Sequence, residues 1–186
     1  MNRKTLLAAV IAASASAFVP AFAQDGRGGY IRAEVGQSDI DLEYAGVSAS
    51  EDDTSFVFSG GYRFNRNFAI EGHVGNLYTE YLGDDLDLDL VSIGVGVAAK
   101  HNFGPDGTGF FIGGRAGIAR ITAQLREDDW DVVDDEHSHK PYFGASVGYD
   151  FNDRFGLSLN WDRRQADFDG IDLDVDTLAI GGELRF

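Results

Sequence analysis

Apolar side chains recur at every second residue through most of this chain, and that spacing limits what it can fold into more than any other feature. A period of two belongs to a β-strand, whose successive side chains point to opposite faces. Eight segments show it: Ile31 to Val35, Phe56 to Phe64, Phe68 to Val74, Val91 to Ala99, Phe110 to Ile118, Phe143 to Phe151, Phe155 to Trp161, and Leu178 to Phe186. Beyond the first 23 residues there is no helical periodicity. No stretch there comes near 18 consecutive apolar residues, which excludes a membrane-spanning helix.

The connections alternate in length. Short polar turns follow the second, fourth and sixth segments: Asn65-Arg66-Asn67, Gly104 to Thr108, and Asn152-Asp153-Arg154. The other connections are mostly longer and acidic, such as Tyr44 to Asp53 and Arg126 to His139. This predicts an antiparallel up-and-down meander with turns at one end and loops at the other. Aromatic residues of the apolar parity gather beside the turns (Tyr62, Phe64, Phe68, Phe103, Phe110, Tyr149, Phe151, Phe155, Phe186). A second set (Phe56, Tyr78, Phe143, Trp161) lies near the loops. Two aromatic girdles, an even strand number and short turns opposite long loops describe a transmembrane β-barrel. Such a barrel must close, because an open edge in lipid leaves backbone groups without partners. A soluble lipocalin-type barrel would instead bury its apolar face and keep charge outside.

The opposite parity separates the two. It carries Arg32, Glu34, Arg63, Glu71, Lys100, Arg115, Asp150, Asp162, Arg164, Glu183 and Arg185, with Gly and Ser between them. A soluble core would not hold six cations and five carboxylates. An eight-stranded membrane barrel has an interior only wide enough for side chains to fill, and near-equal numbers let buried charges pair. These residues are expected to form a structural ion-pair network.

The N-terminus has a positive start (Arg3, Lys4), an apolar Ala-rich run from Leu6 to Ala17, and Ala21-Phe22-Ala23 as an A-x-A site. Residues 1–23 are therefore expected to be a cleaved signal peptide, and 24–186 one barrel domain. There are no cysteines, so no disulfide stabilises the exported fold. The formal charge is −16, with 31 acidic residues against 15 basic, which argues against nucleic acid as a partner.

The segments GYRFNRNFAIEG (61–72), FFIGGRAGIA (110–119), GASVGYDFNDRFGLSLNWDRR (144–164) and LAIGGELRF (178–186) resemble the small outer-membrane β-barrel domain family, with its OmpA/OmpX-type and opacity-type barrels. The likeness spans essentially the whole chain after residue 23. It implies an eight-stranded antiparallel barrel in a Gram-negative outer membrane, with short periplasmic turns and longer acidic extracellular loops. It also implies a C-terminal strand, ending here at Phe186, that is read by the barrel assembly machinery.

Other chemistries fit these residues less well. Glu136-His137-Ser138-His139, behind Asp134 and Asp135, has metal-ligand residue types, but a solvated acidic loop explains it better. A lipid-A-modifying hydrolase would need a Ser or Asp system with an oriented His at the lipid-facing rim. His73 has inward parity and no Ser–His spacing supports such a site, so no enzyme and no cofactor is expected. A small porin is disfavoured by charged side chains projecting inward from only eight strands. A receptor or adhesin role suits exposed loops on a rigid frame.

One stretch departs from the pattern. In DDLDLDLVSIGVGV (84–97) the apolar residues fall on even numbers up to Leu90 and on odd numbers from Val91. The segment 172–181 repeats it without a gap, and Asp39-Ile40-Asp41-Leu42-Glu43 begins it. Two explanations compete: a β-bulge near Leu90, or one unbroken pleat that leaves the membrane there. The unbroken pleat predicts an apolar upper core of Ile40, Leu42, Leu86, Leu88, Leu90, Ile121, Leu125, Leu173 and Val175. It turns Asp87, Asp89, Asp174 and Asp176 outward, where they could contact divalent cations that bridge lipopolysaccharide phosphates. A loosely filled upper core could carry an apolar ligand. The expected partners are outer-membrane lipids and lipopolysaccharide, with the chain a monomer.

Overall fold

The computed structural model describes residues 26–44, 47–83, 86–127, 131–168 and 171–186, with side chains outside 41–52, 79–88, 106, 123–137 and 167–172. The segment expected to be a signal peptide lies outside the described residues. Eight antiparallel strands follow in chain order: β1 Gly28–Tyr44, β2 Val47–Arg63, β3 Phe68–Gly83, β4 Leu86–Asn102, β5 Gly109–Glu127, β6 Asp131–Asp150, β7 Phe155–Phe168 and β8 Ile171–Arg185. Each pairs with its sequence neighbours, and β1 pairs with β8 from Tyr30↔Arg185 to Glu43↔Asp172, which closes the barrel.

Side-chain chemistry fixes the short turns. Asn65 Oδ1 accepts hydrogen bonds from the backbone N–H groups of Asn67 and Phe68 at 2.8 and 2.9 Å. Asn152 Oδ1 does the same for Arg154 and Phe155 at 2.9 and 2.8 Å. These Asx turns reverse the chain without help from other elements. The third turn holds a short 3-10 segment, Pro105–Gly107, followed by Gly109 at φ 85°, which favours glycine.

The strands run 14 to 20 residues, whereas about 9–11 tilted residues cross a bilayer. The crossing part is visible on the outer face. Ile93, Val95 and Val97 are 57–59% exposed, and Ile112, Ile118, Val147, Leu159, Ile180 and Leu184 are exposed in the same way. Apolar area of this extent needs a cover, and in a closed barrel the cover is lipid. Below it stand Tyr62, Phe64, Phe68, Phe103, Phe110, Tyr149, Phe151 and Phe155, all exposed. Ring contacts link Phe110 to Tyr149, Tyr149 to Phe151 and Phe151 to Phe155, with centroids 5.0–5.7 Å apart. Phe56, Phe143 and Trp161 mark the upper boundary.

The strands then continue past that boundary. The acidic segments expected as loops are largely paired strand: residues 47–53 belong to β2 and 131–139 to β6. Residues 47–53 pair with β1 and 131–139 with β5, so their backbone finds partners in hairpins although their sequence does not alternate.

The change of face in DDLDLDLVSIGVGV needs no bulge in its own strand against β5. β4 pairs with β5 without interruption from Leu86↔Glu127 to Asn102↔Phe111, and β8 with β1 equally. The irregularity falls on β3. There Leu77 is an extra residue between Asn76↔Val91 and Tyr78↔Leu90, and Asn76 Oδ1 accepts from the Tyr78 N–H at 3.1 Å. This bulge corrects the reading of Tyr78: it is buried, opposite Leu90, and not part of the outer girdle.

Above the boundary the barrel divides. Pairing between β2 and β3 stops at Phe56↔Asn76, next to the bulge. Pairing between β6 and β7 stops at Tyr142↔Arg164, next to Pro141. Proline cannot donate to a ladder and suits a strand edge. Among the described residues the upper part is thus two four-stranded sheets, β3-β4-β5-β6 and β7-β8-β1-β2. Between them lies one apolar cluster, with Leu77, Tyr78, Leu90 and Ile121 from one sheet and Ile40, Val57, Ala166, Leu173 and Val175 from the other. Of the expected upper core, Ile40, Leu90, Ile121, Leu173 and Val175 are in this cluster. The side chains of Leu42, Leu86, Leu88 and Leu125 lie outside the described residues.

Ile121→Ala is expected to cost about 2–5 kcal/mol by opening a cavity in this cluster. Ile180→Arg is expected to cost about 2–4 kcal/mol on the lipid face. Equilibrium refolding into lipid vesicles at graded urea measures both.

Candidate functional site

The site that the sequence singles out is the lumen. Every strand supplies it: Arg32 and Glu34 from β1, Arg63 from β2, Glu71 from β3, Lys100 from β4, Arg115 from β5, Asp150 from β6, Asp162 and Arg164 from β7, and Glu183 and Arg185 from β8. Ion pairs connect all eleven into one network. At its centre Arg32 meets Glu34 at 3.1 Å, Glu71 at 2.5 Å and Glu183 at 3.5 Å. Arg115 reaches Glu34 at 3.0 Å and Glu71 at 3.4 Å, and holds Asp162 through both Nε and Nη2. Toward the periplasmic turns, Glu183 takes Arg63 at 2.8 Å and Lys100 at 3.4 Å. Asp150 takes Lys100 at 2.8 Å and Arg185 at 2.7 Å. Arg164, at the top, has Asp162 at 3.7 Å.

Burial gives the network its energy. The side chains of Glu34, Glu71, Asp150 and Asp162 are at most 2% exposed. A carboxylate there without its partner would be an uncompensated charge in a low dielectric. Room comes from glycine: a Cβ on Gly144 would lie 2.0 Å from Asp162 Oδ1, and one on Gly96 would lie 2.8 Å from the Tyr142 hydroxyl.

The charged residues alone leave out several members. The Tyr30 hydroxyl donates to Glu71 at 2.5 Å, and Asn102 Nδ2 donates to Asp150 at 2.7 Å. Tyr30, Asn102 and Tyr142 share the inward parity of the eleven charges but carry no charge, and it was charge that marked the others. Ser38 and Thr177 hydrogen-bond each other at 2.9 Å just above the charges. The polar filling thus gives way to hydroxyls and then to the apolar cluster.

His73 and Ser92 form a pair that sequence spacing did not reveal. His73 Nε2 lies 3.1 Å from Ser92 Oγ, and Tyr142 packs edge-on against the imidazole at 4.9 Å. The residues are diagonal neighbours on β3 and β4, since His73 faces Gly94 and Gly75 faces Ser92. Both are buried in the lumen, not at a lipid-facing rim. Among the described residues no carboxylate hydrogen-bonds the ring, so the third member of a triad is missing.

The outward carboxylates are less open than expected. Asp176 is bound by Arg163 in a two-pronged pair, and Asp174 accepts from Gln165 Nε2 at 3.0 Å. Asp89 is buried, with Asn76 Nδ2 at 3.5 Å. The Asp87 side chain lies outside the described residues. Asp89, Asp174 and Asp176 thus each have a partner on a neighbouring strand. Among the described residues no group of three His, Asp or Glu is placed to hold a metal. In the Glu136 to His139 stretch, Ser138 is buried and His139 exposed on β6; the side chains of Glu136 and His137 lie outside the described residues.

Asp162→Asn is expected to lower stability by about 3–5 kcal/mol, because it leaves Arg115 and Arg164 without their shared anion. Asp174→Asn on the outer face should change it by less than about 0.5 kcal/mol. Urea titrations of the two variants beside the parent compare them directly.

Comparison with known proteins agrees with this geometry. Neisserial surface protein A (NspA) superposes with a TM-score of 0.60 at 19% identity, covering 86% of this chain and 97% of its own. Ail, the attachment invasion locus protein of Yersinia pestis, was solved in complex with the heparin analogue sucrose octasulfate. It gives 0.58 at 15% identity, over 86% and 99%. OprG from Pseudomonas aeruginosa gives 0.52 at 13%, over 88% and 98%. At such identities the likeness is one of fold. No curated protein matches by sequence. The outer membrane protein beta-barrel domain family matches residues 5–186, so the chain belongs to that family and is an integral outer-membrane barrel.

Proposed function

We propose that this protein is a closed, non-enzymatic barrel whose working surface is its extended outer end. One observation carries this reading: the eleven-membered ion-pair network and the apolar cluster above it lie in series along the lumen. A steady ion path would have to break buried pairs at one level and wet a dry core at the next. The lumen is then a rigid filling, and function falls to what the strands present outside.

Export by a cleaved signal (residues 1–23) and assembly through the C-terminal strand ending at Phe186 fit this reading. So do a monomeric state, surroundings of outer-membrane lipids and lipopolysaccharide, and no contact with nucleic acid. The enclosed position of His73 and Ser92 supports a non-enzymatic role, since a substrate would have to enter a charged lumen to reach them.

The outer sheets carry Asp39, Asp53, Asp174 and Asp176 on or near the surface, and the chain's net charge is −16. Ail was solved with a polyanion; this acidic exterior would repel one. The partner favoured here is a cationic protein or peptide surface, met by the outer faces of the two upper sheets. A second reading, a carrier of an apolar ligand, is favoured by the splits beside Asn76 and Pro141, which open toward the apolar cluster. It is opposed by the close filling of that cluster, where Leu77, Ile121 and Val175 are each 0% exposed.

Planar-bilayer recording tests the closed barrel. The expected trace is flat, with no reproducible unit step; uniform steps of constant size would replace the closed barrel with a pore. The parent is expected to bind vesicle-tethered cationic peptides more tightly than anionic ones, with affinity falling as salt rises.

A further inference from the structure

The lumen network does not balance. It holds six cations (Arg32, Arg63, Lys100, Arg115, Arg164, Arg185) and five carboxylates (Glu34, Glu71, Asp150, Asp162, Glu183), all tied by ion pairs. Among the described residues the C-terminal carboxylate of Phe186 joins none of these pairs. One positive charge is therefore left over inside a wall surrounded by lipid, where an uncompensated charge is strongly disfavoured.

The excess is not spread evenly. A cavity of about 30 Å³ lies against Arg32, Arg63, Lys100 and Arg115, which are four of the six cations, with Glu183 as its one carboxylate and Asn160 on its wall. Arg63 has a second mark: its Nε–H is buried without an acceptor, while its Nη2 is engaged by Glu183. A single water needs about 10–15 Å³ measured this way. The space thus suits a monatomic anion or a pair of waters and is too small for sulfate, phosphate or a sugar.

We propose that this cavity is a halide site, occupied in the envelope by one chloride ion. The ion supplies the missing negative charge and accepts N–H donors that the carboxylates leave over. It is a structural ion, held by residues of five different strands, and it belongs to the barrel wall, not to a conduction path.

The test uses the whole barrel, refolded in detergent or vesicles. Heat or urea unfolding is compared in sodium chloride, sodium bromide and sodium gluconate at matched ionic strength. Gluconate is monovalent but too large for the cavity. With halide at about ten times its Kd, the folded-to-unfolded ratio should rise about tenfold over gluconate. Asn160→Asp places a fixed carboxylate on the cavity wall and should abolish the halide effect. Asn160→Ser, which adds no charge, should keep it. Bromide-soaked crystals of the unmutated protein should give an anomalous peak beside Arg63 and Arg115, which tests the site even if a variant does not refold. Equal stability in chloride and gluconate, a halide effect retained in full by Asn160→Asp, or water alone in the cavity of the bromide crystal would each overturn the proposal.

Discussion

No backbone N–H or C=O can be left without a partner in hydrocarbon, and the rest of this structure follows from that constraint. Within the lipid-facing band all eight strand pairings are complete, including the one between the first and last strands. Above the band water can serve backbone groups, and there two pairings end. The same limit inverts the side-chain pattern. In lipid the outside is apolar and the inside charged; above it, two sheets bury apolar residues between them as an ordinary sandwich does. One unbroken pleat serves both because its surroundings change near Leu90 and Val91, not its geometry.

The charged filling also fixes register. Each strand contributes at least one member, so every pairing is checked by ion pairs that cross to strands beyond its neighbour. Arg115 on β5, for example, meets carboxylates from β1, β3 and β7. A slip of one residue would turn charges into lipid. A slip of two would keep the faces but separate the partners and set large side chains against each other where Gly144 and Gly96 now leave room. Apolar filling would tolerate such errors; paired charge does not.

Parity made the barrel and the eleven lumen charges legible in the sequence, because a strand's two faces are written in alternate residues. What escaped were properties of pairs. Tyr30 and Tyr142 share inward parity, yet they carry no charge, and charge was what marked a lumen residue. Tyr78 has outward parity and is buried, because an extra residue at Leu77 shifts the register just before it. Ser92 is near His73 only through the β3–β4 register. The acidic segments read as loops, since charge and length resemble loops; they are strand because their partners across the hairpins, 39–43 and 120–125, extend that far. Pro141 was visible, but that pairing with β7 ends there depends on where β7 lies.

The two splits are not placed at the chain's own ends. β1 and β8 stay paired over 14 successive positions, deep within one upper sheet, although their partners lie 129 (Glu43↔Asp172) to 155 (Tyr30↔Arg185) residues apart in sequence. The splits fall instead between strands joined by short local turns. Bringing the ends together is the slow, entropically demanding step in making such a barrel, and this chain makes that joint its longest uninterrupted contact between distant strands. Once formed it would be among the last to reopen, so a barrel strained at its rim would gape at β2–β3 or β6–β7 while its circumference stayed locked.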